Sequence, residues 1–469
     1  MPAKVDFIRR AGLYSQEMNK RVVLIFHSDQ DKKLSIDTLP PLGVLSIAAY
    51  LEQHGIQTDV IDSSIRSFSH EELRPYDLIG FSVNISNREC SLEAISRTKN
   101  LFPDKSIVIG GPLCMSNSEL FLQNPYLDAV FACEGEEALL EYILWDHREP
   151  IKGAYIKKGP SFQFQGPREW IKDLDALPFP ALHKVDIKKY NNYPKKKRPI
   201  SSMMTSRGCP YPCIYCSHSM GRQWRPRSAE NVVAEIKWQV NELGVKEICL
   251  FDDNFSLDRK RAERICDLLI EEKVPVTLQF TNGLRVDCLG WDLLAKLKRA
   301  GTWLIALAPE SGSPEVLKKI KKGFDLSEVF RMEHECRRQK IRTFGFFMIG
   351  FPFETRDDIL ETIEFAKRLD TDIVEFNKVI PFAKTELYEM MAQGGTLLAD
   401  PSLSAKSYHE GTITTHRVGD LSPQEVNKLI RKAYREFYWR PKKMISLLRI
   451  FSIRDLWGLA TYAIRTKNI

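Results

Sequence analysis

The chain has 469 residues, 43% hydrophobic and 28% charged, with a net charge of +7. That length suggests two or three domains, and the composition excludes wholesale disorder. No apolar run is long enough to span a membrane and the start has no secretory h-region, so a cytoplasmic protein, or one on the cytosolic face of a membrane, is expected. Ten cysteines in a chain this long do not make a disulfide scaffold. In a reducing compartment, clustered cysteines point to metal or redox chemistry. The charge is uneven. Residues 415–469 hold twelve Lys and Arg against four acids, while the remainder holds 56 basic and 57 acidic residues. The excess therefore describes the tail.

Residues 21–140 alternate short apolar strands with helices. Strands are expected at 21–27, 57–62, 77–83, 105–110 and 129–132, and helices at 42–54, 91–101 and 136–144. This α/β alternation implies a doubly wound, Rossmann-like parallel sheet with helices on both faces. Such sheets bind ligands at the carboxyl ends of their strands. A first domain is drawn over 1–145. Residues 146–199, with several prolines and the basic run at 195–198, read as a connector carrying a solvated loop. From 200 to 390 the alternation resumes. Strands are expected at 200–206, 247–251, 276–280, 303–307, 343–349 and 373–379, with helices between. Six βα units suggest a partial (β/α)6 barrel of TIM type, with its chemistry where strands run into βα loops. Residues 391–469 read as a mainly helical, basic C-terminal region.

The decisive segment follows the first barrel strand. Cys209, Cys213 and Cys216 stand at C-x3-C-x2-C spacing. Zinc prefers four closed ligands, usually from two knuckles, and no second knuckle exists. Three thiolates on one tight loop suit three corners of a cubane [4Fe–4S] cluster, leaving one iron open. Gly208 and the flanking Pro210 and Pro212 fit a loop that wraps an inorganic core.

This pattern, with Tyr215 as the aromatic before Cys216, resembles the radical S-adenosylmethionine (SAM) enzymes. The likeness continues through 281–285 with Gly323, Pro309-Glu310-Ser311-Gly312-Ser313, 347–355 and 380–387. The N-terminal half resembles the cobalamin-binding domain that many members carry. Its matching pieces are Pro41-Leu42-Gly43, Gly80-Phe81-Ser82, Gly110-Gly111-Pro112 and Glu134-Gly135-Glu136-Glu137. The resemblance implies that SAM chelates the open iron, and that an electron from the cluster cleaves it to methionine and a 5′-deoxyadenosyl radical. That radical abstracts hydrogen from an unreactive carbon. The cofactors carry the hard step, and the protein orients them.

Other contacts are implied by position. Asp252, Asp253 and Asn254 follow the second barrel strand, where related enzymes contact the methionine amino group; acceptors suit an ammonium. The same run also reads as a helix N-cap region. Glu310 and Ser311 are candidates for ribose or amino contacts, although Ala308-Pro309 replaces the usual Gly-Ile or Gly-Val. Ile349 and Gly350 are candidates for packing on adenine, with Phe353 where a glycine is usual. Tyr215 could stack on adenine or serve as a core aromatic. Pro41, Gly43, Ser82, Val83, Asn84, Gly110, Gly111, Pro112, Glu134 and Gly135 are the candidate cobalamin contacts. The Asp-x-His-x-x-Gly motif that supplies a histidine to cobalt is missing, and His27 and His54 lack its other residues. Cobalamin is therefore expected without an imidazole from such a motif.

The expected activity is that of a cobalamin-dependent radical SAM enzyme acting on an unactivated carbon. C-methylation uses one SAM to methylate cobalt and another to make the substrate radical. A ring-forming or rearranging enzyme could use the same cofactors. A methylthiotransferase acting on transfer RNA would need a second cluster, for which Cys90, Cys114 and Cys133 are widely spaced. The expected partners are a small-molecule substrate and a reducing electron donor. No RNA-binding motif stands out, so nucleic acid is not expected. The tail mixes aromatics with its basic residues over 434–459. It reads either as a helix packed on the barrel or as an interfacial helix on a membrane; the latter would suit an apolar substrate.

Overall fold

The structure is a computed structural model, describing residues 20–28, 38–145, 149–398, 416–448 and 450–451. The chain forms two compact units, Met1–Lys33 with Pro40–Asp186 and Leu34–Leu39 with Ile187–Ile469.

The first unit is built on a seven-stranded sheet of order β2-β1-β3-β4-β5-β6-β7. β1 (Val22–Phe26), β2 (Thr58–Asp62), β3 (Leu78–Ser82), β4 (Ser106–Gly110) and β5 (Ala129–Phe131) run parallel. Their apolar runs follow from burial on both faces. Val22, Leu24, Val108 and Phe131 pack under the helices Leu42–Gln53 and Gly135–Trp145. Val23, Ile25, Ile107 and Ile109 face the helices Arg88–Leu101 and Pro112–Asn117.

The sheet is mixed rather than wholly parallel. β6 (Ala154–Lys158) and β7 (Ser161–Phe164), within the stretch read as a connector, add an antiparallel hairpin at its edge. Each alternates side chains across a short turn at Gly159-Pro160, so the period-2 pattern was present but brief.

The second unit holds a sheet of order β15-β14-β13-β12-β11-β8, all parallel. Its strands are β8 (Ile200–Met203), β11 (Glu247–Leu250), β12 (Thr277–Leu284), β13 (Thr302–Glu310), β14 (Arg342–Ile349) and β15 (Ile373–Lys378). Two-residue strands β9 (Ser206–Arg207) and β10 (Arg225–Pro226) pair antiparallel beside the cysteine loop. The intervening helices start at side-chain caps. Ser228, Asp258, Asp325 and Thr355 each accept a backbone N–H of their first turn.

The 195–198 run has exposed Lys196, Lys197 and Arg198 side chains, but its backbone is anchored. Buried Glu247 accepts from the N–H groups of Lys196 (2.8 Å) and Lys197, and from Trp303 Nε1 (2.9 Å). The other end of the sheet is closed by the helix Pro423–Tyr438. Tyr438 Oη accepts from Val374 N (2.9 Å) and donates to its carbonyl (2.7 Å). Tyr434 Oη does the same at Phe376, at 3.1 and 3.3 Å. Four helical residues rise about 6 Å and two strand residues about 6.6 Å. The two hydroxyls therefore match alternate peptides and block the edge to another strand. This is the packed-helix reading of the tail's first part; residues 452–459 lie outside the described residues.

Candidate cofactor sites at the strand ends

The cysteine loop leaves β9 through Gly208, whose φ is +86°. A Cβ there would meet the Gln223 carbonyl at 2.3 Å, so only glycine fits. The Gly208 N–H donates to Asp253 Oδ2 at 3.1 Å, and Cys209 N to the Gly221 carbonyl at 3.1 Å. Cys209, Cys213 and Cys216 lie close enough to act on one another electrostatically. Burial pushes the Cys209 thiol up. Such thiols become thiolates when a bound metal supplies the compensating charge. Among the described residues, no three Cys, His, Asp or Glu side chains converge at the spacing of a single ion. Three thiols on one loop, with no fourth beside them in sequence, suit three corners of a cubane.

Two tyrosines sit between the cysteines, each beside a cation. Tyr211, between Cys209 and Cys213, lies 3.4 Å under the Arg285 guanidinium, measured to the ring centre. Its hydroxyl pairs with Cys288 Sγ at 3.2 Å. Tyr215, between Cys213 and Cys216, donates to Glu310 Oε1 at 3.1 Å. Lys322 Nζ donates to the same oxygen at 2.8 Å and to Tyr215 Oη at 3.2 Å. Arg285 then donates to the Lys322 carbonyl at 2.9 Å, joining the two pairs. Burial beside the Glu310 carboxylate pushes the Tyr215 hydroxyl well above its ordinary range. Glu310 holds a φ of +68°, a strained value for a non-glycine. Tyr215 meets Phe351 edge-on, 5.9 Å between centres.

The neighbouring candidates divide. Asp252 is buried, and its oxygens accept from Thr205 N (2.6 Å), Thr205 Oγ1 (2.5 Å) and Ser206 Oγ (2.6 Å). It fastens the strand that leads into the cysteine loop. Asp253 faces the loop itself. Asn254 is 1% exposed, and its Oδ1 has no hydrogen-bond partner among the described residues. Ser311 is wholly buried; its hydroxyl pairs with Thr362 Oγ1 at 3.0 Å and accepts from Ser313 N at 3.1 Å. At the end of β14, Gly350 has φ +112°. Buried Glu354 accepts from Gly350 N (2.6 Å) and Phe351 N (2.9 Å), and His416 Nε2 lies 2.6 Å from the Gly350 carbonyl. Phe353, in the usual glycine position, stacks on Phe351 at 5.7 Å. Burial pushes the Glu354 carboxyl to about 7. Sequence reasoning missed Lys322, Arg285 and Glu354 as site residues; Arg285 and Gly323 had marked the motif's ends only.

In the first unit the candidates lie on loops after β1, β3, β4 and β5, the same end of consecutive parallel strands. β1 lies between β2 and β3, making the switch point where such sheets take ligands. These loops are laced by backbone. Val83 N donates to the Gly110 carbonyl (2.8 Å), and Leu113 N to that of Val83 (3.1 Å). Asn87 Oδ1 accepts from Asn84 N (2.8 Å), while Asn87 Nδ2 donates to the Ser82 carbonyl (3.0 Å). A Cβ on Gly111 (φ +103°) would meet the Val83 carbonyl at 2.8 Å, and one on Gly135 would meet Ile47 at 2.5 Å. Glu134 accepts from Ile171 N at 2.8 Å. Pro41 precedes the helix Leu42–Gln53, and a Cβ on Gly43 would meet nothing within 4 Å. Pro112 opens the helix Pro112–Asn117. A small-residue edge rich in backbone groups fits a large corrin, which needs close approach more than charge. Cys90, Cys114 and Cys133 lie on two different helices and a loop.

A model of the radical SAM superfamily matches residues 203–366, and a model of the B12 binding domain matches residues 37–143. An uncharacterized methyltransferase of Pyrococcus horikoshii is 30% identical over 429 residues, 88% of this chain and 91% of the relative. The chain belongs to the cobalamin-dependent radical SAM enzymes. Cytidylyl-2-hydroxyethylphosphonate methyltransferase of Streptomyces wedmorensis is 26% identical over 463 residues, covering 85% of this chain and 86% of that one. The solved cobalamin-dependent SAM radical enzyme OxsB, with aqua-cobalamin and SAM bound, has a TM-score of 0.76 at 16% identity. It covers 96% of this chain and 71% of its own, and bears on the fold. This radical SAM enzyme uses a [4Fe–4S] cluster, SAM and cobalamin, and acts on a small molecule.

Proposed function

We propose that this radical SAM enzyme transfers a methyl group from SAM to an unactivated carbon of a small molecule. The observation that carries the reading is similarity to methyltransferases along both cofactor domains, over 91% of one relative and 86% of another. When bound, the cluster supplies the electron that cleaves SAM, and cobalamin supplies a methyl carrier. Cys209, Cys213 and Cys216 would hold the cluster. Asp253 and Asn254 are the acceptors left for the SAM amino group, since Asp252 is engaged with Thr205 and Ser206. Glu310 and Lys322 position Tyr215 inside the cysteine loop. Gly350, held by Glu354, offers backbone to adenine beside Ile349. Ser82–Asn84 and Gly110–Pro112 would meet the corrin.

The inner face of the half-barrel supports a substrate with an apolar part. On β14, Thr343, Gly345, Phe347 and Ile349 are buried, and Phe347 packs on Phe365 of the helix Arg356–Leu369. Phe344, Phe346 and Met348 therefore face the other way, and they remain partly exposed. Phe346 is paired in register with Glu375. Each SAM cleavage consumes an electron, so a reducing donor is a required partner.

The experiment is anaerobic turnover with SAM labelled in its methyl group and candidate small molecules. Methylation gives labelled product with one S-adenosylhomocysteine and one 5′-deoxyadenosine per turnover. 5′-Deoxyadenosine with a ring-closed or rearranged, unlabelled product would establish the other radical outcome instead.

A further inference from the structure

The short helix Pro441–Leu447 is inside out. Lys443 is buried while Met444 and Ile445 face water. Lys443 is 5% exposed, and its Nζ donates to the Thr371 carbonyl at 2.5 Å and pairs with Asp370 Oδ1 at 3.0 Å. Just before the helix, Arg440 reaches the same aspartate at 2.9 Å. The anchor is therefore ionic. Trp439 is 69% exposed, Met444 57%, Ile445 56% and Leu448 61%. Among the described residues these are the four most exposed large hydrophobic side chains. At about 100° per residue, Met444, Ile445 and Leu448 share one arc, Lys443 lies opposite, and Lys442 lies on the flank. An apolar patch held outward by a buried lysine on the half-exposed Asp370 is a surface built to be covered.

The charge around it selects the cover. Residues 428–449 contain eight Lys and Arg and a single acid, Glu436. Glu436 is already paired with Lys367 at 3.0 Å and with Lys432. Beside the helix, a cleft of about 850 Å³ is lined by Lys340 and Lys442 among others. Its acids are committed: Glu333 to Arg337, Asp372 to Arg342, Asp370 to Arg440 and Lys443. A second copy on this face would set the same cations against each other. A nucleic acid would satisfy the cations and leave Trp439 and Met444 in water. We propose that this face seats on an anionic phospholipid bilayer, with Trp439, Met444, Ile445 and Leu448 entering the interface and the cations meeting headgroup phosphates. The contact lies on the surface, since no helix among the described residues is long and apolar enough to cross a membrane.

The test is flotation of the full chain with vesicles of phosphatidylcholine alone and with phosphatidylglycerol added. The expected result is flotation only with phosphatidylglycerol, weakened by salt as screening shortens the reach of charge. A variant with Trp439, Met444, Ile445 and Leu448 all changed to Ser should fall about tenfold in vesicle partition, with unchanged iron and cobalt content. These side chains point outward, so the variant should fold, and circular dichroism checks that. Three results would overturn the proposal: negligible flotation of the full chain, equal flotation of the variant, or a concentration-dependent dimer that the variant abolishes. A chain ending at residue 451 separates the patch from the tail beyond it. Retained flotation supports the patch; lost flotation assigns the contact to the later residues and overturns the proposal.

Discussion

The loops at the carboxyl ends of the two sheets are held by different means. In the first unit the loops after β3 and β4 are held by backbone N–H and carbonyl, glycines and the amides of Asn84 and Asn87, as between Val83, Gly110 and Asn87. Charged groups enter there only after β5, where Glu134 holds Ile171 N and Arg168 pairs with Glu137 and Glu141. In the barrel they are charged side chains: Asp252 on Thr205, Glu310 with Lys322, Arg285 on Tyr211, Glu354 on Gly350. Both sheets present the same edge, so topology does not set the difference. The ligand does. A corrin is large and met mainly through shape, so small residues and fixed peptides suffice. A cluster and a charged sulfonium need thiolates, acceptors and compensating cations in fixed places, and low-dielectric ion pairs supply that rigidity.

The largest expected effect breaks the barrel side alone. Replacing Cys209, Cys213 and Cys216 with Ala should abolish iron binding and SAM cleavage while cobalamin still binds. Glycine substitutions sharpen the contrast. Gly208→Ala should lose the cluster, because its Cβ meets a backbone carbonyl at 2.3 Å. Gly111→Ala should weaken cobalamin by about tenfold or more with iron unchanged, since its Cβ falls 2.8 Å from the Val83 carbonyl at φ +103°. Iron analysis and cobalamin titration read both.

Next comes the buried pair. Lys322→Met takes the cation from Glu310 and leaves it only the Tyr215 hydroxyl, where the Lys322 and Glu310 side chains are only 8% and 11% exposed. A loss of about 3 kcal/mol is expected in denaturant unfolding. Adding Glu310→Gln should recover most of it. Equal losses for the single and double variants would show that the pair does not act as a unit.

The smallest effect is a pH dependence. Glu354 titrates near 7 in the folded protein, above its ordinary value of 4.5, because it is buried. The folded state therefore favours the protonated form. Its contribution to stability is present below pH 4.5 and is lost as pH rises through 7. The Tm of the natural chain, relative to Glu354→Gln, should fall between pH 5 and 8. A constant difference across that range would contradict the assignment.

Much of this was legible in the sequence, for local reasons. The three cysteines lie within eight residues, and Gly208 beside them marks the turn. The five parallel strands of the first sheet stood out as short buried runs. What was hidden is what the fold brings together from afar. Lys322 reaches Tyr215 across 107 positions, and no local pattern links them. Asp252 looked like a ligand because it sits at a strand end, yet its oxygens face the preceding strand's loop. The β6–β7 hairpin was masked by surrounding prolines, although Gly159-Pro160 between two alternating stretches was a usable turn signal. The edge contacts of Tyr434 and Tyr438 were unreadable because they depend on which strand ends the sheet.

The most direct measurement is iron and cobalt content per chain, after anaerobic reconstitution with cobalamin supplied, for the natural chain, the triple-cysteine variant and Gly111→Ala. About four irons and one cobalt are expected in the natural chain. Cobalt without iron is expected in the triple-cysteine variant, and iron with depleted cobalt in Gly111→Ala. Iron retained without the three cysteines, or both metals lost together in either variant, would contradict two separately built cofactor sites.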